Sequence, residues 1–274
     1  MQAATVDHGL RAESGDEAAF CAVLCAQLGV DHTILKVDVA AGNVQAEARA
    51  ARYLTLGKWC EDAGLTALMT AHHADDQAET LIMRLNRGSG IGGLTGVRQS
   101  AQIPQHGGRL LRPLLGWRKA ELEHIVAEAG IAPIRDPSNV DDRFDRARIR
   151  KALAEANWLD PVAMAQSAAH LADASEALEW AAVREWDECV TKQGGGLAYV
   201  PTEGIPRELQ FRILARAITQ LGKPPRGEAV SELLDKLQRG EGGNVAGVLV
   251  TAKNGVWLLR REPSRGEPPS SSSE

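Results

Sequence analysis

The densest set of acid–base side chains in the 274-residue sequence lies at residues 71–80, which read Ala-His-His-Ala-Asp-Asp-Gln-Ala-Glu-Thr. Two imidazoles, His72 and His73, stand beside three carboxylates, Asp75, Asp76 and Glu79. If a helix begins at the aspartates, Asp76, Glu79, Thr80 and Met83 fall on neighbouring positions of one face. Leu81, Ile82 and Leu85 then cover the side expected to pack on a sheet. Such a group can attract a cation and accept its proton. Two other readings compete with this one. Asp75 and Asp76 could simply favour a helix N-terminus electrostatically. His/Asp clusters also bind zinc or paired divalent ions, but adjacent histidines diverge and no HxxxH spacing occurs.

Two further stretches carry charge or glycine at suggestive spacing. Gly88, Gly90 and Gly93 satisfy GxGxxG, yet a helix pattern precedes them where a dinucleotide fingerprint needs a strand. A loop at a helix C-terminus, with Arg84 and Arg87 in the last turn, is the better account. Residues 143–151 hold Arg143, Arg146, Arg148, Arg150 and Lys151. They could contact phosphate through guanidinium or pair with Asp141, Asp142 and Asp145. Arg49 and Arg52 are open to the same two readings.

The elements that must position these groups alternate. Residues 3–6 read as a buried strand ending at Asp7-His8-Gly9. Ser14 and Glu17 have capping-box spacing for a helix that Gly29 would end. A strand at 32–37, a helix at 44–60 stopped by Gly64, a strand at 65–69 and a helix from about Asp75 follow. This alternation implies an α/β fold, a parallel sheet with helices on both faces. Ligands bind such sheets beyond the strands' carboxyl ends, where Asp7, His8 and the 72–76 cluster all fall. A helix at 118–129 and a turn at Asp136-Pro137-Ser138-Asn139 come next. From Pro161 the chain reads as mostly helical: a long Ala-rich helix to about 190, a break at Gly194-Gly195-Gly196, and helices near 206–221 and 228–239. Strands at 245–251 and 255–259 form a hairpin across Lys253-Asn254-Gly255. The expected domains are 1–159 and 160–261, followed by a disordered Pro/Ser-rich tail at 262–274.

Composition fits a globular protein, with 44% hydrophobic and 24% charged residues but only 4% aromatics, so the core must rest on aliphatic side chains. The net charge of −5 argues against indiscriminate polyanion binding, while leaving room for a nucleic-acid partner that meets a local basic cluster. No apolar run spans a membrane and no signal pattern opens the chain. The four cysteines form no CxxC pair and read as free thiols of a reduced compartment. The expected location is the cytoplasm.

In order along the chain, several short segments resemble the tRNA(Ile)-lysidine synthase family of the PP-loop ATP pyrophosphatase group. They are Thr5-Val6-Asp7-His8-Gly9-Leu10-Arg11, Asn43-Val44-Gln45 with Arg49 and Arg52-Tyr53, residues 71–80, Arg87-Gly88-Ser89-Gly90, Leu111-Arg112-Pro113, Asp136-Pro137-Ser138-Asn139 and residues 146–150. The resemblance covers about residues 2–155; beyond Asp160 it is one of layout, similar to the family's tRNA-binding C-terminal region. It implies a two-step ligase. ATP, with Mg2+ carried by its phosphates, adenylates O2 of cytidine 34 in tRNA(Ile) bearing a CAU anticodon. L-lysine then displaces AMP at C2, giving lysidine and changing the codon read from AUG to AUA. On the family's pattern His73, Asp76 and Glu79 hold the lysine and assist proton removal, with His72 and Asp75 as close support. Asp7, His8, Arg52 and Arg112 are the expected nucleotide or phosphate contacts. The sequence leaves open whether the chain is a monomer or a homodimer.

One departure is plain. The family's Ser-Gly-Gly-x-Asp-Ser loop, whose backbone N–H groups grip pyrophosphate, occurs nowhere in these residues. The sequence begins at the expected second strand, so ATP binding by these residues alone is expected to be weak or absent. A catalytically inactive tRNA-binding remnant is therefore the alternative function, with a metal-dependent hydrolase third.

Overall fold

The computed structural model describes residues 1–9, 13–37, 44–134 and 145–262. Leu10, Arg11, Asn43, the 136–139 turn, Asp141, Asp142, Arg143 and the tail from 263 lie outside the described residues. The chain divides into two compact units, Met1–Ala172 and Asp173–Glu274.

The first unit opens with β1 (Gln2–Asp7), α1 (Ser14–Gln27), β2 (Asp31–Lys36) and α2 (Val44–Asp62). β1 and β2 pair in parallel, Gln2 opposite Asp31 through Asp7 opposite Lys36. Ser14 does not cap α1. Glu13 occupies the cap without a side-chain bond, and the Ser14 hydroxyl, already inside the first turn, donates to Asp7 Oδ1 at 2.7 Å. The chain continues through β3 (Leu68–Met69), α3 (Ala74–Leu85), the single turn α4 (Ile91–Leu94), β4 (Ser100–Gln102), β5 (Arg109–Leu111), α5 (Lys119–Glu128) and α6 (Asp145–Glu155). β3 is shorter than the apolar run 65–69 suggested. Leu65 instead closes the α2 terminus, its N–H donating to Cys60 O.

β5 lies between β3, to which it is parallel, and β4, to which it is antiparallel. The described strands of this unit thus form a parallel pair and a mixed triplet, the α/β fold the sequence implied with one antiparallel edge strand added. The antiparallel edge arises because β4 and β5 are joined by a tight turn, with Gln105 and Gly107 at positive φ. A hairpin needs only a few residues, whereas a parallel crossover needs a dozen or more. Tyr53, Leu56 and Cys60, one face of α2, pack with Leu68, Ile103 and Leu110 to form the core. This core fixes α2 against β3 and β5.

α7 (Pro161–Cys189) runs through the division between the units, and the sequence boundary at Asp160 falls just before its first turn. The second unit adds β6 (Val190–Gln193), β7 (Gly196–Tyr199), α8 (Arg207–Leu221), α9 (Gly227–Gln238), β8 (Gly243–Val245), β9 (Val248–Lys253) and β10 (Val256–Arg261). The strands form an antiparallel sheet ordered β6-β7-β10-β9-β8. Asn254 and Gly255 both take positive φ, as a two-residue primed turn requires. Gly194 and Gly195 turn β6 into β7, which begins at Gly196, rather than merely ending a helix. Ile213, Ile218, Leu234, Val248 and Leu259 are among the side chains that fill this unit's core.

Candidate active site

The site is built where β3 ends and α3 begins. The Thr70 N–H donates to Leu111 O, keeping this segment against β5 to the edge of the sheet. His73 is the N-cap of α3 and Asp76 its third residue. Asp76 N donates to His73 Nδ1 at 3.3 Å, and His73 N donates to Asp76 Oδ2 at 3.1 Å. This reciprocal cap uses imidazole where serine or threonine usually serves. It makes Nδ1 an acceptor, so in the neutral ring the proton sits on Nε2, which faces Asp76 Oδ2 at 3.4 Å. The helix-capping role and the clustering of chemistry are therefore the same geometry.

Each of the three carboxylates meets a guanidinium. Arg118 reaches both Asp75 oxygens at 3.0–3.3 Å, and the Lys119 N–H adds a bond of 2.7 Å. Burial alone would raise the Asp75 carboxyl; the Arg118 bonds, the Lys119 N–H and the nearby positive charge outweigh it and hold the group below the ordinary aspartate value. Arg146 bridges α6 to α3, Nε to Glu79 Oε2 at 2.6 Å and NH2 to Asp76 Oδ1 at 3.0 Å. Arg150 adds Nε to Glu79 Oε1 at 2.7 Å. Glu79, 2% exposed, has both oxygens filled. Asp76 accepts one guanidinium bond and one backbone bond, which leaves it acceptor capacity.

A second set of arginines is arranged differently. Among the described residues Arg49, Arg52 and Arg112 have no carboxylate partner. Arg49 lies 5.1 Å from the Tyr53 ring centroid, and Arg52 donates from Nε and NH2 to His8 Nε2 at 3.2 Å. Arg112 is 5% exposed and gives NH1 to Arg98 O at 2.6 Å, while its buried Nε finds no partner. His72 lies among these charges, with Nδ1 3.0 Å from the Thr70 hydroxyl. Burial first, then the Arg112 charge, against the pull of Asp76 and aided by Arg49 and Arg146, bring His72 down to about 4. Its ring is neutral at physiological pH. Burial and Arg52 lower His8 likewise, and Asp7 is lowered by the Ser14 hydroxyl and the Gly9 N–H.

The structure brings His72, His73, Asp75, Asp76 and Glu79 into one cluster, with Arg112 beside it. Asp7, His8 and Arg52 form a separate group at the end of β1. Among the described residues no hydrogen bond or ion pair joins Asp7 or His8 to the α3 cluster; α2 carries Arg49 toward the one and Arg52 to the other. Leu85, expected on the packed face of α3, is 51% exposed. The buried residues are Ala74, Gln77, Ala78, Glu79 and Leu81, because the last turn of the helix reaches the surface. Sequence reasoning assigned Arg118 only to a helix start and left Arg146 and Arg150 ambiguous. Their partners lie more than forty residues away, a distance over which local spacing carries no signal.

Comparison with known proteins identifies the family. Residues 1–157 match the family model of the PP-loop domain. The tRNA(Ile)-lysidine synthase of Novosphingobium aromaticivorans is 49% identical, over 95% of this chain and 80% of the relative. That of Zymomonas mobilis is 39% identical, over 97% and 82%. Among solved structures, the U34-tRNA thiolase NcsA from Methanococcus maripaludis superposes with a TM-score of 0.51 at 14% identity, covering 61% of each chain; that likeness is one of fold. By its PP-loop domain and its relatives, the chain belongs to the tRNA(Ile)-lysidine synthase family.

Proposed function

We propose that this chain takes part in joining L-lysine to C2 of cytidine 34 in a tRNA(Ile) with a CAU anticodon, forming lysidine at the expense of ATP. The observation that carries the reading is the unequal filling of the α3 acids. Asp75 accepts four bonds from Arg118 and the Lys119 N–H, and Glu79 three from Arg146 and Arg150. Asp76 accepts one from Arg146 and one from the His73 N–H and keeps open lone pairs at the rim of the sheet. Asp76 is then the group that receives the lysine ammonium and draws off its proton, because an amine attacks only when deprotonated. His73 holds the Asp76 carboxylate through the reciprocal cap. Neutral His72 lines the site without repelling the incoming cation. Glu79 acts through Arg146 and Arg150, as the buried anchor that sets α6 against α3.

Arg49, Arg52 and Arg112, which have no carboxylate partner among the described residues, fit an anionic ligand. Guanidinium groups left with positive charge and a free buried N–H suit phosphate oxygens. Arg112 and Arg52, with His8 and Asp7 beside the latter, would contact the phosphates of ATP or of the tRNA backbone, and Mg2+ would come held by the ATP phosphates. ATP supplies the activation that makes the cytidine carbon open to attack. We assign tRNA contacts away from the anticodon to residues 160–261 and place the reaction in the cytoplasm. Among the described residues no helix is long and apolar enough to cross a membrane.

The test is lysidine formation on CAU tRNA(Ile), read by mass spectrometry of digested nucleosides. The 274 residues would be compared with the same residues preceded by a family member's strand and Ser-Gly-Gly-x-Asp-Ser loop. The reading expects lysidine from the extended protein and little or none without the loop. Tight tRNA binding with no lysidine from either protein would favour the tRNA-binding remnant instead.

A further inference from the structure

Gln77 lies on a different face of α3 from the acids and is 4% exposed. Its amide treats one residue of a neighbouring loop as a strand would. Nε2 donates to Val97 O at 2.7 Å, and Oε1 accepts from the Val97 N–H at 2.8 Å. Gly96, immediately before, has φ +62°, and a Cβ there would stand 2.3 Å from Gln77 Oε1. Position 96 therefore needs glycine for its backbone conformation and for space. The next two carbonyls both serve Arg112: Arg98 O accepts from NH1 at 2.6 Å, and Gln99 O accepts from the Arg112 backbone N–H at 2.8 Å. The Arg98 carbonyl is the one protein acceptor of this buried guanidinium among the described residues.

We propose that Gln77 is a positioning residue for the anion-binding side of the site: by clamping Val97 it fixes the Arg98 carbonyl that holds the buried Arg112 guanidinium in place. The relevance of this clamp to catalysis rests on the anion-binding role given to Arg112 above; the clamp itself does not. An unclamped loop lets the Arg98 carbonyl drift, and a buried donor that loses its acceptor moves to find another. Among the described residues the side-chain hydrogen bonds of Gln77 go to Val97 alone, so the effect of its amide on the site is expected to pass through that loop and Arg112.

The titration of the His72 ring, followed by NMR and assigned with His72→Gln, reads the clamp directly. The groups facing His72 are the Thr70 hydroxyl and the charges of Arg112, Asp76, Arg49 and Arg146. Gln77→Met removes both clamp bonds without adding charge. It is expected to move the His72 midpoint upward from about 4, and Gly96→Ala, which displaces the Gln77 amide from the other side, is expected to do the same. In an Arg112→Met background, where His72 has already moved up, Gln77→Met should add nothing. An unchanged midpoint in a Gln77→Met protein with the parent's circular dichroism would overturn the proposal, as would an equal shift with Arg112 absent. If Gln77→Met does not fold, Gly96→Ala decides by the same criterion. Lysidine formation by the extended parent is scored separately. A clamp that behaves as described in an inactive parent leaves the positioning intact and removes the functional reading alone.

Discussion

The Glu79 carboxylate, 2% exposed on α3, receives the Arg146 guanidinium of α6 at 2.6 Å. Arg150 closes on the same carboxylate from one turn further along α6. A buried acid with two cations is stable only while both partners stay, and removing the acid strands two guanidinium groups. Glu79→Gln is expected to cost about 2–3 kcal/mol, at or below the range for a broken buried pair because both arginines keep a third or more of their surface in water. Urea denaturation measures it. A midpoint equal to the parent's would mean that the pair does not fasten α6.

Acid should loosen the first unit through His72. Its pKa falls from 6.5 unfolded to about 4 folded, so between these values the unfolded chain binds the extra proton. Stability is then full above pH 6.5 and declines as pH drops toward 4. His72→Gln, which cannot take up that proton, should flatten part of this slope in unfolding free energy between pH 6.5 and 4. An identical slope in the variant would place His72 outside the buried, cation-lined setting described.

Asp75 acts with the same sign at lower pH. Its folded carboxyl lies below the ordinary value of 3.8, so its contribution is present above that pH and is lost as pH falls through the lower, folded value. Asp75→Asn is expected to remove the corresponding part of the acid-induced loss below pH 3.8, measured by thermal melts across that range. No difference between variant and parent there would contradict the Arg118 pairing.

Much of this architecture could be read from local pattern. The starts of α3, α5, α7 and α9 fall within about a residue of the positions the sequence suggested, because caps and apolar periodicity are local signals. The 72–79 cluster was visible for the same reason, all its members lying within two helical turns. What stayed hidden was long-range. Ser100-Ala101-Gln102 and Arg109-Leu110-Leu111 are too short and too mixed to announce β4 and β5; only their pairing with each other and with β3 makes them strands. The division of the arginines into those paired with carboxylates and those with no such partner among the described residues depends on contacts between α3, α5 and α6 that no spacing rule reports. Leu85 was misjudged because a helical stripe says which residues align, not how far along the helix the burial extends.

Leu110, fully buried between β3 and β4, should lose about 2–5 kcal/mol on replacement by alanine. Leu85→Ala should stay within about 0.5 kcal/mol of the parent. Equilibrium unfolding of the two variants checks both. Equal losses would return Leu85 to the packed face.

The central claim is that Asp76 receives the lysine amine. It is tested most directly by steady-state lysidine formation with Asp76→Asn in the loop-bearing protein, alongside a tRNA-binding measurement on the same preparation. The amide keeps the shape and an acceptor for Arg146 but loses the charge and the capacity to take a proton. The expected result is a fall of about a hundredfold or more in turnover with tRNA affinity unchanged; turnover at the parent's rate would contradict the account.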